Sequence, residues 1–196
     1  MNLYMPPQSL RDPILIAAFE GWNDAADSAM TVVDHILSTW DAELFAELDP
    51  DQFYDFQQAR PLMHFGDGDS RELIWPTPAM YVISEESLPR DILVLRACEP
   101  NFQWREFCRR IIGLISQVGV REVYVLGALL AEVPHSRPVS VSKYTNDPDV
   151  AETIQHQAPS YIGPVGITTV LADAAEQAGL MVSSLWAAVP HYTAEP

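Results

Sequence analysis

Four short apolar runs constrain this chain most: residues 14–19 (Ile-Leu-Ile-Ala-Ala-Phe), 92–95 (Ile-Leu-Val-Leu), 123–126 (Val-Tyr-Val-Leu) and 181–189. Runs this apolar and this short fit strands buried on both faces. Helical patterns lie between them. The first runs from about Asp24 to Trp40, with Ala25, Ala29, Val32, Val33, Ile36 and Leu37 on one face. The second covers 102–118, with Phe107, Ile111, Leu114, Ile115 and Val118 on its apolar face, Asn101 as cap and Gly119 as stop. The third covers 167–177 and stops at Gly179. Strands alternating with helices predict an α/β chain, a three-layer α/β/α with a mostly parallel sheet. At 196 residues the chain suffices for one such domain, spanning 1–196.

The remaining segments are less regular. Residues 42–48 alternate, with Leu44, Ala46 and Leu48 opposite Glu43, Phe45 and Glu47, as in a half-exposed strand. Asp49-Pro50-Asp51 starts a short helical turn, and Gly66-Asp67-Gly68-Asp69 reads as a hairpin turn without the ligand pattern of a calcium loop. Residues 72–75 and 80–83 read as strands with Pro76 and Pro78 between them, which places the pair at a sheet edge. Residues 139–144 fit an edge strand. Asp147-Pro148 opens a short helix to about His156, a surface residue, and 161–166 form a Gly/Pro loop.

Composition excludes several partners. The formal charge is −16, from 27 acids against 11 bases, and Lys143 is the single lysine. Such a chain repels nucleic acid and anionic membrane. No apolar run approaches the ~18 residues of a membrane span. The N-terminal stretch lacks a basic segment followed by an apolar one, so the expected location is the cytoplasm. Neither GxxxxGK[ST] nor GxGxxG occurs, which argues against an ATP site and against a bound cofactor. Cys98 and Cys108 match no zinc or redox spacing and read as buried thiols, so no metal site is expected.

Polar residues gather where the apolar runs end. Glu20-Gly21-Trp22-Asn23-Asp24 follows the first run and Glu99-Pro100 the second. The third meets Gly127, read as the end of its strand, and then Glu132 and Pro134-His135-Ser136-Arg137-Pro138. Val-Pro-His recurs at Val189-Pro190-His191. A parallel sheet brings such strand ends to one edge, where α/β proteins place ligands. Glu20, Asn23, Asp24, Glu99, Glu132, His135, Arg137 and His191 are therefore the candidate site residues, with the two histidines and Glu20 or Asn23 expected around one concavity. A histidine beside a carboxylate can act as general base. The plainer reading is also open: Pro fixes a rigid turn, His caps a carbonyl, and Asn23 or Asp24 caps the following helix. Glu20, Asp24 and Asp27 oppose an anion at that helix start. No GxSxG elbow is present, and Ser136 beside His135 cannot form a triad by adjacency.

These stretches together carry a resemblance. Phe19-Glu20-Gly21-Trp22-Asn23-Asp24-Ala25, Glu99-Pro100 with Trp104, the segment from Gly127 to Pro138, Tyr161-Ile162-Gly163-Pro164-Val165-Gly166, and Leu185-Trp186-Ala187-Ala188-Val189-Pro190-His191-Tyr192 are similar to the proteasome assembly chaperone family in its bacterial, especially actinobacterial, branch. The likeness covers nearly the whole chain. It implies an α/β/α fold like that of phosphorylases and peptidyl-tRNA hydrolases, and self-association, with a trimer among the options. It also implies a role in protein assembly with a protein client. Some relatives carry an ATP-grasp or ligase label, which this lysine-poor, Gly-loop-free sequence does not support.

The reading that follows is a non-enzymatic assembly or scaffold factor of undefined client. The alternatives are a small hydrolase- or phosphorylase-like enzyme using a His/carboxylate site, and a small-molecule binder without turnover. Trp75, Tyr81, Phe102, Trp104 and Tyr144, with a hairpin within 60–83, point to a homo-oligomer. Only seven residues follow the last apolar run, so a C-terminal helical segment that packs near Leu185 and Ala187 is expected to be lacking.

Overall fold

The computed structural model describes residues 1–4, 10–66, 70–154 and 161–193. Its strands are β1 (Asn2–Leu3), β2 (Ile14–Glu20), β3 (Ala42–Glu47), β4 (Leu62–Phe65), β5 (Arg71–Ile74), β6 (Ala79–Ile83), β7 (Ile92–Cys98), β8 (Glu122–Ala131), β9 (Val141–Thr145) and β10 (Met181–Pro190). Its helices are α1 (Ser28–Thr39), α2 (Trp104–Gln117), α3 (Pro148–Thr153) and α4 (Ile167–Gln177).

The main sheet has the order β1-β3-β6-β7-β2-β8-β10-β9. Only the four central strands, β7, β2, β8 and β10, pair in parallel. β6, β3 and β1 on one flank and β9 on the other pair antiparallel. The sheet is thus mixed rather than mostly parallel. The cause is in the connections. A parallel neighbour needs a crossover of a dozen residues or more, usually a helix. Residues 84–91 between β6 and β7 contain no helix, so the chain turns back there.

Helices lie against both faces. Along β2, Leu15, Ala17 and Phe19 pack with Phe107, Ile111, Leu114 and Ile115 of α2 and with Ile167, Leu171 and Ala175 of α4. Ala18 points the other way and packs with Ala29, Met30 and Val33 of α1, Val94 and Ile83. This is the two-residue period of a strand set against two helical layers. Phe107 anchors the first cluster, edge-on to Phe19 (ring centroids 6.0 Å) and to Phe53 (5.3 Å). Burying a side chain of this size contributes ~1.5–3 kcal/mol.

Several expectations need correction. Gly127 does not end its strand; β8 stays paired with β10 through it to Ala131, and the position is glycine because the Trp186 indole of β10 lies where a Cβ would stand. In β3 the alternation breaks between Leu44 and Ala46, and this bulge buries Phe45 and Ala46 together. Val32 stands 48% exposed instead of facing the core. α2 begins at Trp104, and Asn101 does not cap it, because its Oδ1 accepts from the Asp55 amide. β5 and β6 are not one edge pair. β6 lies inside the main sheet, whereas β5 pairs with β4 in a separate two-stranded arm. His156 and residues 67–69 of the expected turn lie outside the described residues.

Ion pairs tie together the amino edge of the parallel strands. Ahead of β2 and β7, Arg11 grips the buried Asp91 through its backbone N–H (2.7 Å), Nε (3.1 Å) and Nη2 (2.8 Å). Ser84 adds a hydroxyl bond to the same carboxylate (3.0 Å). Burial alone would raise the Asp91 pKa; the Arg11 and Ser84 contacts outweigh it and hold the carboxyl below its ordinary range. Arg90 bridges Asp12 (2.8 Å) and Glu122 at the start of β8 (2.9 Å).

Candidate functional site

The opposite, carboxyl edge is built from the ends of β2, β7, β8 and β10 and the start of α4. β2 ends at Glu20, and the chain turns at Gly21, whose φ of +124° strains any residue with a Cβ. The turn brings Asp24 back to α1. Its two carboxylate oxygens accept from the amides of Ala29 (2.6 Å) and Met30 (2.9 Å), so Asp24 caps the helix from outside its first turn. Burial is the chief reason its pKa is raised; the two amide bonds pull the other way.

Asn23, 2% exposed, is the hub of the edge. Its carbonyl accepts from the Ala128 amide of β8 (2.8 Å), and its Nδ2 donates to Glu99 Oε1 (2.9 Å). The same Glu99 oxygen accepts from the Ile167 amide at the first turn of α4 (2.9 Å). α4 is preceded by Gly166 as its N-cap, which has no side chain to cap with, so the Glu99 carboxylate from beyond β7 supplies the cap. Gly166 packs so closely on the Asn23 carboxamide that a Cβ there would collide with it. Asn23 Oδ1 and Thr168 Oγ1 are buried without a hydrogen-bond partner among the described residues.

Glu20 stands exposed beside this cluster, with Cys98 Sγ 3.5 Å from its Oε2. Burial, reinforced by Glu20, pushes the Cys98 thiol up to about 12. This half-buried cysteine is held as the protonated thiol, the less reactive form. Tyr54 donates to the Cys98 carbonyl (2.8 Å), and its own pKa is raised by burial.

The two Val-Pro-His turns leave adjacent strands, since Pro190 of β10 lies opposite Ala131 of β8. Tyr192 links them. Its hydroxyl accepts from the His135 backbone N–H (2.9 Å) and lies 3.0 Å from His135 Nδ1, and its ring is edge-on to His191. Glu132, His135, Arg137 and His191 are all exposed, and the Arg137 amide closes the turn on the Pro134 carbonyl (3.2 Å). Asn23 and Glu99 thus share one hydrogen-bonded cluster with the Ile167 amide, Asp24 separately caps α1, and His135 and His191 meet around Tyr192. In the bonds among the described residues, His135 is partnered by Tyr192 and not by a carboxylate. Chemically, the carboxylates of Asp24 and Glu99 serve backbone amides, and among the described residues no acidic partner holds the histidines as general bases.

Sequence reasoning missed Tyr192, Gly166 and the Ile167 amide. One signal was available: a helix opening on Gly-Pro-Val-Gly without Ser, Thr, Asp or Asn needs an acceptor from elsewhere in the fold.

Large apolar side chains stand exposed on the segments that adjoin these strand ends and the start of α4. Trp22 is 67% and Ile162 98% exposed, and Phe102, Leu129, Leu130 and Tyr192 also face outward.

The PAC2 family profile matches residues 18–196. The chain belongs to the PAC2 family. Its fold is similar to that of a PAC2 family protein from Streptomyces avermitilis, with 46% identity and a TM-score of 0.88 over 94% of this chain and 79% of that one. A proteasome-assembly chaperone homologue from Mycobacterium tuberculosis is 40% identical, with a TM-score of 0.84 over 93% and 78% of the two chains. An archaeal proteasome activator from Pyrococcus furiosus shares the fold at 16% identity, with a TM-score of 0.74 over 97% and 80%. No curated protein matches the sequence. Among the described residues, no helix of this PAC2 protein is long and apolar enough to cross a membrane.

Proposed function

We propose that this PAC2 protein is a non-enzymatic, chaperone-like assembly factor that binds a protein client at the carboxyl edge of its parallel strands. The observation that carries this reading is the exposed apolar side chains near Asn23 and Glu99: Trp22, Leu130 and Ile162 stand in solvent at an edge where the Glu99 carboxylate is already engaged by the Asn23 carboxamide and the Ile167 amide. Exposed apolar surface of this kind marks protein contacts. The kinship with a proteasome-assembly chaperone homologue supports the same role and makes proteasome subunits the first clients to test. The proposal includes self-association, a cytoplasmic location, and helical layers arranged as in phosphorylases and hydrolases. The enzymatic alternative is less supported, because His135 and Cys98 are not set up as base or nucleophile.

The test is affinity capture in the native host with the wild-type chain and with a Trp22→Ser/Leu130→Ser variant. Stoichiometric protein partners retained by the first and lost by the second are expected. Equal capture by both would refute the assignment of this edge.

A further inference from the structure

The main sheet ends in two edges of different kinds. At one end β1 offers only two residues. At the other, β9 runs for five residues in unbroken antiparallel register with β10, from Val141 opposite Ala187 to Thr145 opposite Ser183. Two bonds fix which backbone groups face β10: the Ala188 N–H donates to the Ser140 carbonyl (2.9 Å), and the Asn146 N–H to the Val182 carbonyl (3.1 Å). Inward and outward groups alternate along a strand of an antiparallel pair. Ser140, Ser142, Tyr144 and Asn146 therefore turn theirs toward β10, while Val141 and Lys143 turn N–H and C=O outward. Among the described residues, nothing pairs with these outward groups.

We propose that this free edge takes an extended, acidic segment of another protein, which adds to the sheet as a further strand with its carboxylates beside Lys143 and Arg137. The inference adds a surface to the one proposed above and does not rest on it.

Backbone and charge both favour this occupant. A row of outward N–H and C=O groups is matched by another peptide strand. Sheets commonly blunt such an edge with a proline, a bulge or a very short strand. β9 has no proline and no register shift, and Val139 and Val141 stand 66% and 42% exposed along it. The charge is local. Residues 133–146 hold Arg137 and Lys143 and no acid, on a chain of −16. Neither cation has an acidic partner among the described residues, whereas Arg11, Arg90, Arg96, Arg109 and Arg110 all do. Exposed charges are screened over ~8 Å at physiological ionic strength, so contact with these two cations outweighs the distant acids. Just past the far end of β9 stand Asp147, Asp149 and Glu152, which confines the segment's carboxylates to the Val141 end. A lysine on an edge deters indiscriminate pairing, and the strand it does not deter is an acidic one. A basic segment meets Lys143 with like charge, and a second copy brings the same lysine to the edge.

Fluorescence anisotropy on the purified full chain tests this with two labelled short peptides, one alternating Val and Glu, the other Val and Lys. The acidic peptide is expected to bind saturably and the basic one not. Lys143→Glu sets like charges together and should weaken the acidic peptide about tenfold. Val141→Pro removes one outward N–H and leaves the β10 ladder intact, so it should weaken binding about fivefold, the worth of one hydrogen bond. Both variants are expected to keep the wild-type melting temperature. The acidic peptide with every amide N-methylated cannot extend the ladder and should not bind, a result independent of how the variants fold. Amide exchange at Val141 and Lys143 should slow when the unmodified acidic peptide is added. Equal binding of the two peptides, no saturable binding of the acidic one, full binding of its N-methylated form, a folded Lys143→Glu protein that binds as wild type, or exchange that slows only away from β9 would each overturn the proposal. Capture of the native client by Lys143→Glu bears on the other surface: its retention leaves the carboxyl-edge reading intact whatever the peptides do.

Discussion

The two edges of the parallel strands are built on opposite principles. At the amino edge, charge is paired with charge: Arg11 with Asp91, Arg90 with Asp12 and Glu122. These contacts tie the starts of β2, β7 and β8 to the chain just before them. At the carboxyl edge, neutral and acidic groups are paired with backbone amides, and large apolar side chains such as Trp22 and Ile162 stand outward among exposed polar ones. The amino edge is finished as a solvent surface. The carboxyl edge is held from inside by Asn23, Asp24 and Glu99 and carries exposed large apolar side chains outside. Stability alone does not call for exposed Trp22 or Ile162, and a rigid frame under an apolar rim suits a binding face.

Substitutions at the two edges sharpen this contrast. The largest effect is expected at Gly166. An alanine there displaces the Asn23 carboxamide and breaks the Asn23–Glu99–Ile167 link, at a cost of about 3 kcal/mol. Urea unfolding measures it, and a Gly166→Ala protein as stable as wild type would show that the edge is not held by this cluster. Next comes Gly127→Ala, whose Cβ would stand 2.7 Å from the Trp186 ring and force that indole off β8, at about 2 kcal/mol. Loss of the native tryptophan fluorescence signature should accompany it.

At the amino edge, Asp91→Asn keeps the shape and removes the charge, at about 1–2 kcal/mol, discounted because Arg11 is half exposed. Its pH dependence has a definite sign. The folded-state pKa of Asp91 is depressed, so its contribution is complete above the unfolded value of about 3.9 and is lost as pH falls through the lower folded value. Asp24 runs the other way. Its raised pKa disfavours the fold at neutral pH, and protonation relieves this as pH falls through the raised value. The stability gap between wild type and Asp91→Asn should therefore narrow below pH ~4. A gap that widens on acidification would contradict the assignment.

Much of this frame was legible in the sequence, because burial on both faces leaves an apolar run that needs no tertiary knowledge to see. The strand starts at Ile14, Ile92 and Met181 and all of α4 were readable this way. Strand direction was not, because nothing in the 79–83 or 141–145 segments encodes which way they pair; for 79–83 the short, helix-free connection of residues 84–91 decides it. The candidate residues were readable as strand-end polar groups, but their partners were not. Glu99 caps a helix that begins 68 residues later, and His135 meets Tyr192 across 57 residues. Such contacts exist only once the sheet is ordered. The arm was foreseeable as a hairpin, but its projection from the body was not, because alternating exposure and full exposure leave similar patterns in four-residue strands.

Site-specific photo-crosslinking in the native host tests the contrast most directly. A photoreactive residue replaces Trp22 or Ile162 at the carboxyl edge and Arg121 or Met181 at the amino edge. The account predicts a defined protein adduct from the first pair and none from the second. Adducts from Arg121 or Met181 with none from Trp22 or Ile162 would contradict it.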